Sequence, residues 1–251
     1  MILELKNISV GYNEPLVSLV NAEVLEGELV VLVGKNGVGK STLLNALKGI
    51  QELKSGRASL YGKAIGDYTV GELSRNVAVV NTARPLLNGW TVLNVLESTD
   101  KSTGKEKSVI TEALALCQIE DLKRKEVDVL SDGEFQKVMI ARAICQQTPL
   151  MILDEPTSFL DVIYREHVLQ IFSQLKDTFG TTIVLSSHNF VPLLKIASQV
   201  WVISRGKMEV IQSDFDYDGM MKYALKVNHK TSLKDLAKLH DSATDVNYHT
   251  P

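Results

Sequence analysis

The chain has 251 residues, with 30 Asp plus Glu against 27 Lys plus Arg and a net charge of −3. Hydrophobic residues make up 45% and charged residues 23%, which excludes a disordered or collagen-like chain and shows no basic excess of the kind a nucleic-acid binder carries. No apolar run approaches the roughly 18 residues a membrane span needs. The start, Met1-Ile2-Leu3-Glu4-Leu5-Lys6, lacks the charged and apolar regions of a signal peptide. A soluble, cytosolic protein is expected, with length for one large domain or a domain with an inserted subdomain.

Residues 2–10 and about 16–24 are predicted strands. Residues 28–33, a short β-branched run that ends at a glycine, read as a buried strand. A glycine-rich turn follows, then helical spacing over 41–48. Residues 56–60 and 76–80 read as further strands. From about 91 to 147 the pattern is mostly helical, with helices over 91–98, 106–117 and 132–146. A polar segment, 101–105, separates the first two. This block interrupts the strands as an inserted helical subdomain does. Residues 150–153 form another apolar run, 162–179 a long helix, and 181–186, 200–204 and 208–212 close the strand pattern. Strands that alternate with helices predict a mostly parallel α/β sheet.

Beyond Ser213 the apolar content falls, and short helices are expected at 214–226 and 232–241. Lys222, Lys226, Lys230, Lys234 and Lys238 recur every four residues. A solvated helix face explains this better than a lipid-facing one, because aspartates interleave with the lysines. Cys117 and Cys145 each sit inside an apolar helical pattern, which predicts buried free thiols in a reducing compartment.

Gly34-Lys35-Asn36-Gly37-Val38-Gly39-Lys40-Ser41 fits G-x-x-x-x-G-K-[ST], between a predicted strand and a predicted helix. Glycines let the backbone curl so that successive N–H groups point inward. Those donors and the helix N-terminus attract phosphate oxygens. Lys40 then supplies charge to the outer phosphates, and Ser41 offers a hydroxyl to Mg²⁺. A nucleoside triphosphate site follows.

Leu150-Met151-Ile152-Leu153-Asp154-Glu155 is an apolar run that ends in two carboxylates. In P-loop proteins a strand beside the P-loop strand ends in an aspartate that holds Mg²⁺, a role that falls to Asp154. Glu155 is then near the γ-phosphate, where a carboxylate can orient a water or accept its proton. His188 follows another strand, at the edge where open α/β sheets bind ligands. Ser131 and Glu134 match S-x-x-E before an apolar-periodic helix, a capping box. A capped helix start with a serine and a glycine also offers donors to an anion.

The P-loop, Leu130-Ser131-Asp132-Gly133-Glu134, Leu153-Asp154-Glu155-Pro156-Thr157 and Ser187-His188 together resemble the ATP-binding subunit of an ABC transporter, over about residues 2–212. The resemblance implies an ABC ATPase domain over 1–213, with an N-terminal antiparallel β subdomain, a helical subdomain inserted at about 82–148, and a tail at 214–251. It implies a head-to-tail homodimer with two sandwiched ATPs. Ser131 and Gly133 then contact the γ-phosphate held by the other chain's P-loop. Asn36, Gly37, Gly39, Lys40, Ser41 and Thr42 bind ATP, and Tyr12 stacks on adenine. Ser158-Phe159-Leu160-Asp161 resembles the loop that links the two sites across the dimer. Glu155 resembles the catalytic glutamate and His188 the switch histidine.

Two departures stand out. The family usually has glutamine where this chain has Asn81, so the amide that serves Mg²⁺ and water is one methylene shorter. Asp132 and Glu134 stand where glycine and glutamine are commonest, and both add negative charge near a phosphate. Glu134 can turn back to the Ser131 backbone instead. The stretch 131–161 is similar to ATPases that serve importers of iron-siderophore, haem and cobalamin, although 91–107 is shorter than usual for that group. The resemblance implies ATP and Mg²⁺, membrane permease subunits that meet the helical subdomain, and a substrate-binding protein. It places the chain at the cytoplasmic face of the membrane with no nucleic-acid partner. A soluble ABC ATPase of the iron–sulfur assembly type would share every ATP residue and is the alternative.

Overall fold

The computed structural model describes residues 1–81, 83–85, 87–99 and 107–212. The expected tail helices, the lysine series and the 101–105 segment lie outside the described residues. Two strands, β1 (Leu3–Gly11) and β2 (Pro15–Val24), open the chain as an antiparallel pair. With β4 (Ser55–Leu60) and the two-residue β5 (Lys63–Ala64) they form a four-stranded antiparallel sheet, in the order β2-β1-β4-β5.

The second sheet contains β3 (Leu29–Gly34), β6 (Val77–Val80), β7 (Leu150–Asp154), β8 (Thr182–Ser186), β9 (Gln199–Ser204) and β10 (Lys207–Gln212). Their order is β10-β9-β3-β8-β7-β6. All neighbours are parallel except β10, which closes the edge antiparallel to β9. The mostly parallel sheet is therefore as the alternation of strands and helices predicts. One expectation is corrected. β7 does not lie beside the P-loop strand, because β8 is inserted between β3 and β7. Side-by-side order depends on nonlocal pairing, which an apolar run does not encode.

The strand pleat divides the interior in two. Leu29, Val31 and Val33 point into a cluster built with α3 (Val92–Glu97), α4 (Lys107–Leu116), α5 (Asp132–Cys145) and α6 (Val162–Phe179). Val30 and Leu32 point the other way, into a cluster with the antiparallel sheet and α1 (Lys40–Leu47). The period of two thus explains why β3 is apolar throughout: both faces are covered. The helices between β6 and β7 share the larger cluster with the sheet rather than forming a core of their own.

Among the described residues, one α-helix was not expected, α2 (Val70–Asn76). Its signal is present in the sequence as Thr69-x-x-Glu72, a full capping box with Glu72 N–H donating to Thr69 Oγ1 at 3.2 Å and Thr69 N–H to Glu72 Oε2 at 2.7 Å. None of its residues is buried, so the apolar periodicity that marks the other helices is missing. Cys117 and Cys145 are buried and not disulfide-bonded. Among the described residues no helix is long and apolar enough to cross a membrane.

Candidate functional site

The P-loop joins the end of β3 to α1. Gly37 (φ 75°) and Gly39 (φ 110°) lie in the left-handed region, and Gly39 caps α1. A Cβ at Gly39 would come 2.8 Å from Val17 Cγ2, so glycine is required both for conformation and for space. Helices α2, α3, α5 and α6 each carry a side-chain cap, whereas α1 has none and no acid in its first turn. Its first intrahelical bond runs from Leu43 N–H to Gly39 O at 2.9 Å. The amides of Lys40, Ser41 and Thr42 precede it and stay free of intrahelical partners. The positive end of α1 is therefore left for an anion.

The Lys40 side chain is buried and curls back over the loop, donating to Gly34 O at 2.9 Å and Lys35 O at 3.3 Å. Burial pushes its pKa down, and the Glu155 and Asp154 carboxylates oppose that shift. The ammonium thus lies within electrostatic reach of both acids. Ser41 is exposed at the helix start, with Asn36 and Gly37 exposed in the loop, while the Thr42 side chain turns into the interior.

The two acids occupy the C-terminal end of β7. Asp154 is 6% exposed, and its Oδ1 accepts from Ser186 Oγ at 2.6 Å. The same hydroxyl accepts from Glu155 N–H at 3.0 Å. Ser186 ends β8, so the strand inserted between β3 and β7 fastens the acid pair. Glu155 itself has φ 51°, a left-handed conformation that is costly for a side chain of this size and recurs at functional sites. Its Oε2 accepts from His188 N–H at 3.1 Å, and its Oε1 lies 3.1 Å from His188 Nε2 without hydrogen-bond geometry. Glu155 and His188 thus form one unit, with the Glu155 carboxylate within electrostatic reach of Lys40.

Asn81 follows β6 directly, at the level of Asp154. Its Oδ1 accepts from Lys48 Nζ at 2.7 Å. Sequence reasoning passed over Lys48 because no motif contains it, and Ser186 because a buried strand-end serine has no signature. Tyr12 is exposed beside Gly11 and borders a surface depression with Asn45 of α1, Ile50 and Gln51.

Ser131 caps α5 with a complete capping box. Glu134 N–H donates to Ser131 Oγ at 3.2 Å, and Glu134 Oε2 accepts from Ser131 N–H and Oγ, both at 2.9 Å. Glu134 does turn back, and these bonds hold its carboxyl below the usual range. Asp132 lies 3.5 Å from Arg84 Nη1. Arg84 also donates to the carbonyls of Leu130 and Val127 and stacks 4.5 Å from the Phe135 ring centroid. Both added acids therefore have local partners. Gly133 packs on the Phe159 carbonyl, where a Cβ would come within 3.0 Å. Asp161 caps α6 by accepting from Tyr164 N–H at 2.8 Å. Around these two helix starts, Val129, Phe159, Val162 and Ile163 are exposed.

Among the described residues no cluster of three His, Cys, Asp or Glu side chains could hold a metal alone. The oxygen donors present, the Ser41 hydroxyl, the Asp154 carboxylate and the Asn81 carboxamide, fit a hard ion such as Mg²⁺, which keeps waters and leans on one carboxylate plus phosphates.

The ABC transporter family profile matches residues 17–158. An uncharacterized ABC transporter ATP-binding protein of Methanocaldococcus jannaschii is 36% identical over 215 residues, 82% of this chain and 74% of that protein. The hemin import ATP-binding protein HmuV of Shewanella denitrificans is 32% identical over 211 residues, 80% of this chain and 83% of its own. Among solved structures, an ATP-binding subunit of an ABC transporter superposes with a TM-score of 0.78 at 25% identity, over 97% of this chain and all of that one. A dimeric ATP-binding cassette bound to ADP and phosphate superposes with a TM-score of 0.77 at 24% identity, over 84% of this chain and 99% of that one. The chain belongs to the ABC transporter ATP-binding family, the ATPase subunits of these transporters.

Proposed function

We propose that this chain works as a homodimer that hydrolyses ATP to drive a membrane permease importing iron-siderophore, haem or cobalamin. A substrate-binding protein would deliver the cargo, and the chain would sit at the cytoplasmic face of the membrane. The observation that carries the catalytic reading is the Glu155–His188 unit, held by Ser186 beside Asp154 and within electrostatic reach of Lys40.

In this reading the P-loop amides and Lys40 hold the phosphates, and Tyr12 covers the adenine. Ser41, Asp154 and Asn81 would hold Mg²⁺, which when bound neutralises charge on the outer phosphates. Glu155 takes the proton of the attacking water, and His188 stabilises the γ-phosphate and keeps Glu155 aimed. Ser131 and Gly133 meet the γ-phosphate of the partner chain, with Asp161 beside them. The exposed apolar residues Val129, Phe159, Val162 and Ile163 surround those helix starts and suit burial against a second copy. ATP bridges the two copies, and hydrolysis removes the bridge, a two-state switch set by ligand occupancy. The import direction and cargo class rest on the relatives named for hemin, petrobactin and cobalamin import.

The test is Glu155→Gln. Expected are retained ATP binding, near-complete loss of hydrolysis, and an ATP-dependent dimer by size-exclusion chromatography. Wild-type turnover by the variant would sink the catalytic assignment. Affinity capture from membranes should bring down a polytopic permease; recovery of soluble partners alone would refute the transport role.

A further inference from the structure

Lys48 is the C-cap residue of α1, at the opposite end of the helix from the phosphate loop. Its neighbours Leu43, Leu44 and Leu47 are core residues, and Lys48 itself is only 5% exposed. A lysine so placed loses most of its hydration and needs partners. Its partner is the neutral carboxamide of Asn81, at 2.7 Å. The Asp154 carboxylate acts on it from further away and opposes the downward pull of burial on its pKa. An alkyl side chain would pack at this position without those costs. The chain instead keeps a positive charge here, aimed at the one side-chain oxygen of Asn81.

That oxygen is the atom the proposed function assigns to the metal. An ammonium and a divalent ion on one carboxamide oxygen repel each other strongly at such separations. We propose that Lys48 is a resident cation of the nucleotide site, which holds Asn81 Oδ1 until the divalent ion that accompanies ATP displaces it. The inference rests on the ATP-site reading above and assigns Lys48 as a positioning residue for Asn81. Two opposite consequences follow. The buried charge strengthens binding of metal-free ATP, an anion. The same charge, with its hold on Asn81, weakens binding of the divalent ion to the ATP-loaded protein. A purely structural lysine produces neither.

The experiment uses the full chain and Lys48→Met, which keeps length and bulk without charge. Mn²⁺ is the probe, with free Mn²⁺ read by electron paramagnetic resonance at saturating ATP. ATP binding in EDTA is measured alongside. A charge-assisted hydrogen bond is typically strong enough to shift such an equilibrium about tenfold. Expected is about tenfold tighter Mn²⁺ binding, with ATP bound several-fold more weakly in EDTA. Lys48→Gln, which keeps a donor for Asn81 but no charge, guards against misfolding: it should weaken ATP binding in EDTA as much as Lys48→Met does and tighten Mn²⁺ binding by less. Unchanged or weaker Mn²⁺ binding in a folded variant would overturn the inference while ATP still binds. Failure of the wild-type chain to bind ATP at all would instead overturn the ATP-site reading, and this inference with it.

Discussion

Ser186→Ala tests the way β8 fastens the acid pair. The hydroxyl is fully buried, donates to Asp154 Oδ1 at 2.6 Å and accepts from Glu155 N–H at 3.0 Å. Alanine removes one oxygen atom and leaves almost no cavity, so the cost is polar. A hydrogen bond to a charged group contributes about 1.5–3 kcal/mol, and an orphaned buried N–H costs about 1–3 kcal/mol. Taking the lower half of each range, since Asp154 keeps slight solvent access, a loss of about 3 kcal/mol is expected. That is a large share of a typical domain stability of about 5–15 kcal/mol, but leaves the chain folded. Urea unfolding followed by tryptophan fluorescence, extrapolated to water, measures it; the midpoint should fall with little change in slope. Because Asp154 and Glu155 lose their common anchor, kcat should drop by about tenfold or more, and KM for ATP should change less. A stability loss under about 1 kcal/mol with wild-type kcat would refute the reasoning.

Glu72 tests acid stability: the Thr69 N–H and hydroxyl, with Lys63, hold its carboxyl at about 2, against 4.5 for the free group. A depressed carboxyl contributes stability above its unfolded pKa and loses it as pH falls through the folded value. The gap between wild type and Glu72→Gln should therefore close between about pH 5 and pH 2, and a gap independent of pH would contradict the capping box. Burial pushes the Cys117 thiol up to about 12, so a thiol reagent at pH 8 should modify it only on unfolding; rapid labelling of the native chain at Cys117 would show that its pocket opens. Asn81→Gln should keep or raise ATPase activity, because the longer amide regains reach; abolished activity would show that Asn81 is not a shortened glutamine.

The P-loop was readable because its chemistry is local. Glycine spacing, Lys40 and Ser41 fall within eight consecutive residues, and the strand and helix around them follow from burial on both sides and from apolar periodicity. Boundaries agreed within a residue or two for β3, α1, β7 and α6. The helix α2 was missed although Thr69 and Glu72 announce its start, because it buries no apolar face. The capping box at Ser131 was legible from spacing, and so was the chance that Glu134 turns back. The partner of its neighbour Asp132 was not legible, because Arg84 lies far away in the chain.

The opening composition left a neutral-to-acidic chain with no membrane-length apolar run and with room for an insertion. The amino-acid order alone then determined the glycine-rich loop between β3 and α1 and the capped helix starts, since each depends on residues within a turn or two of one another. Only the tertiary structure decided that β8 separates β3 from β7, that Ser186 joins Asp154 to Glu155, and that Lys48 reaches Asn81. These contacts link residues some thirty positions apart. Parallel pairing and helix packing set them, and no local pattern in the sequence encodes which strand lies next to which.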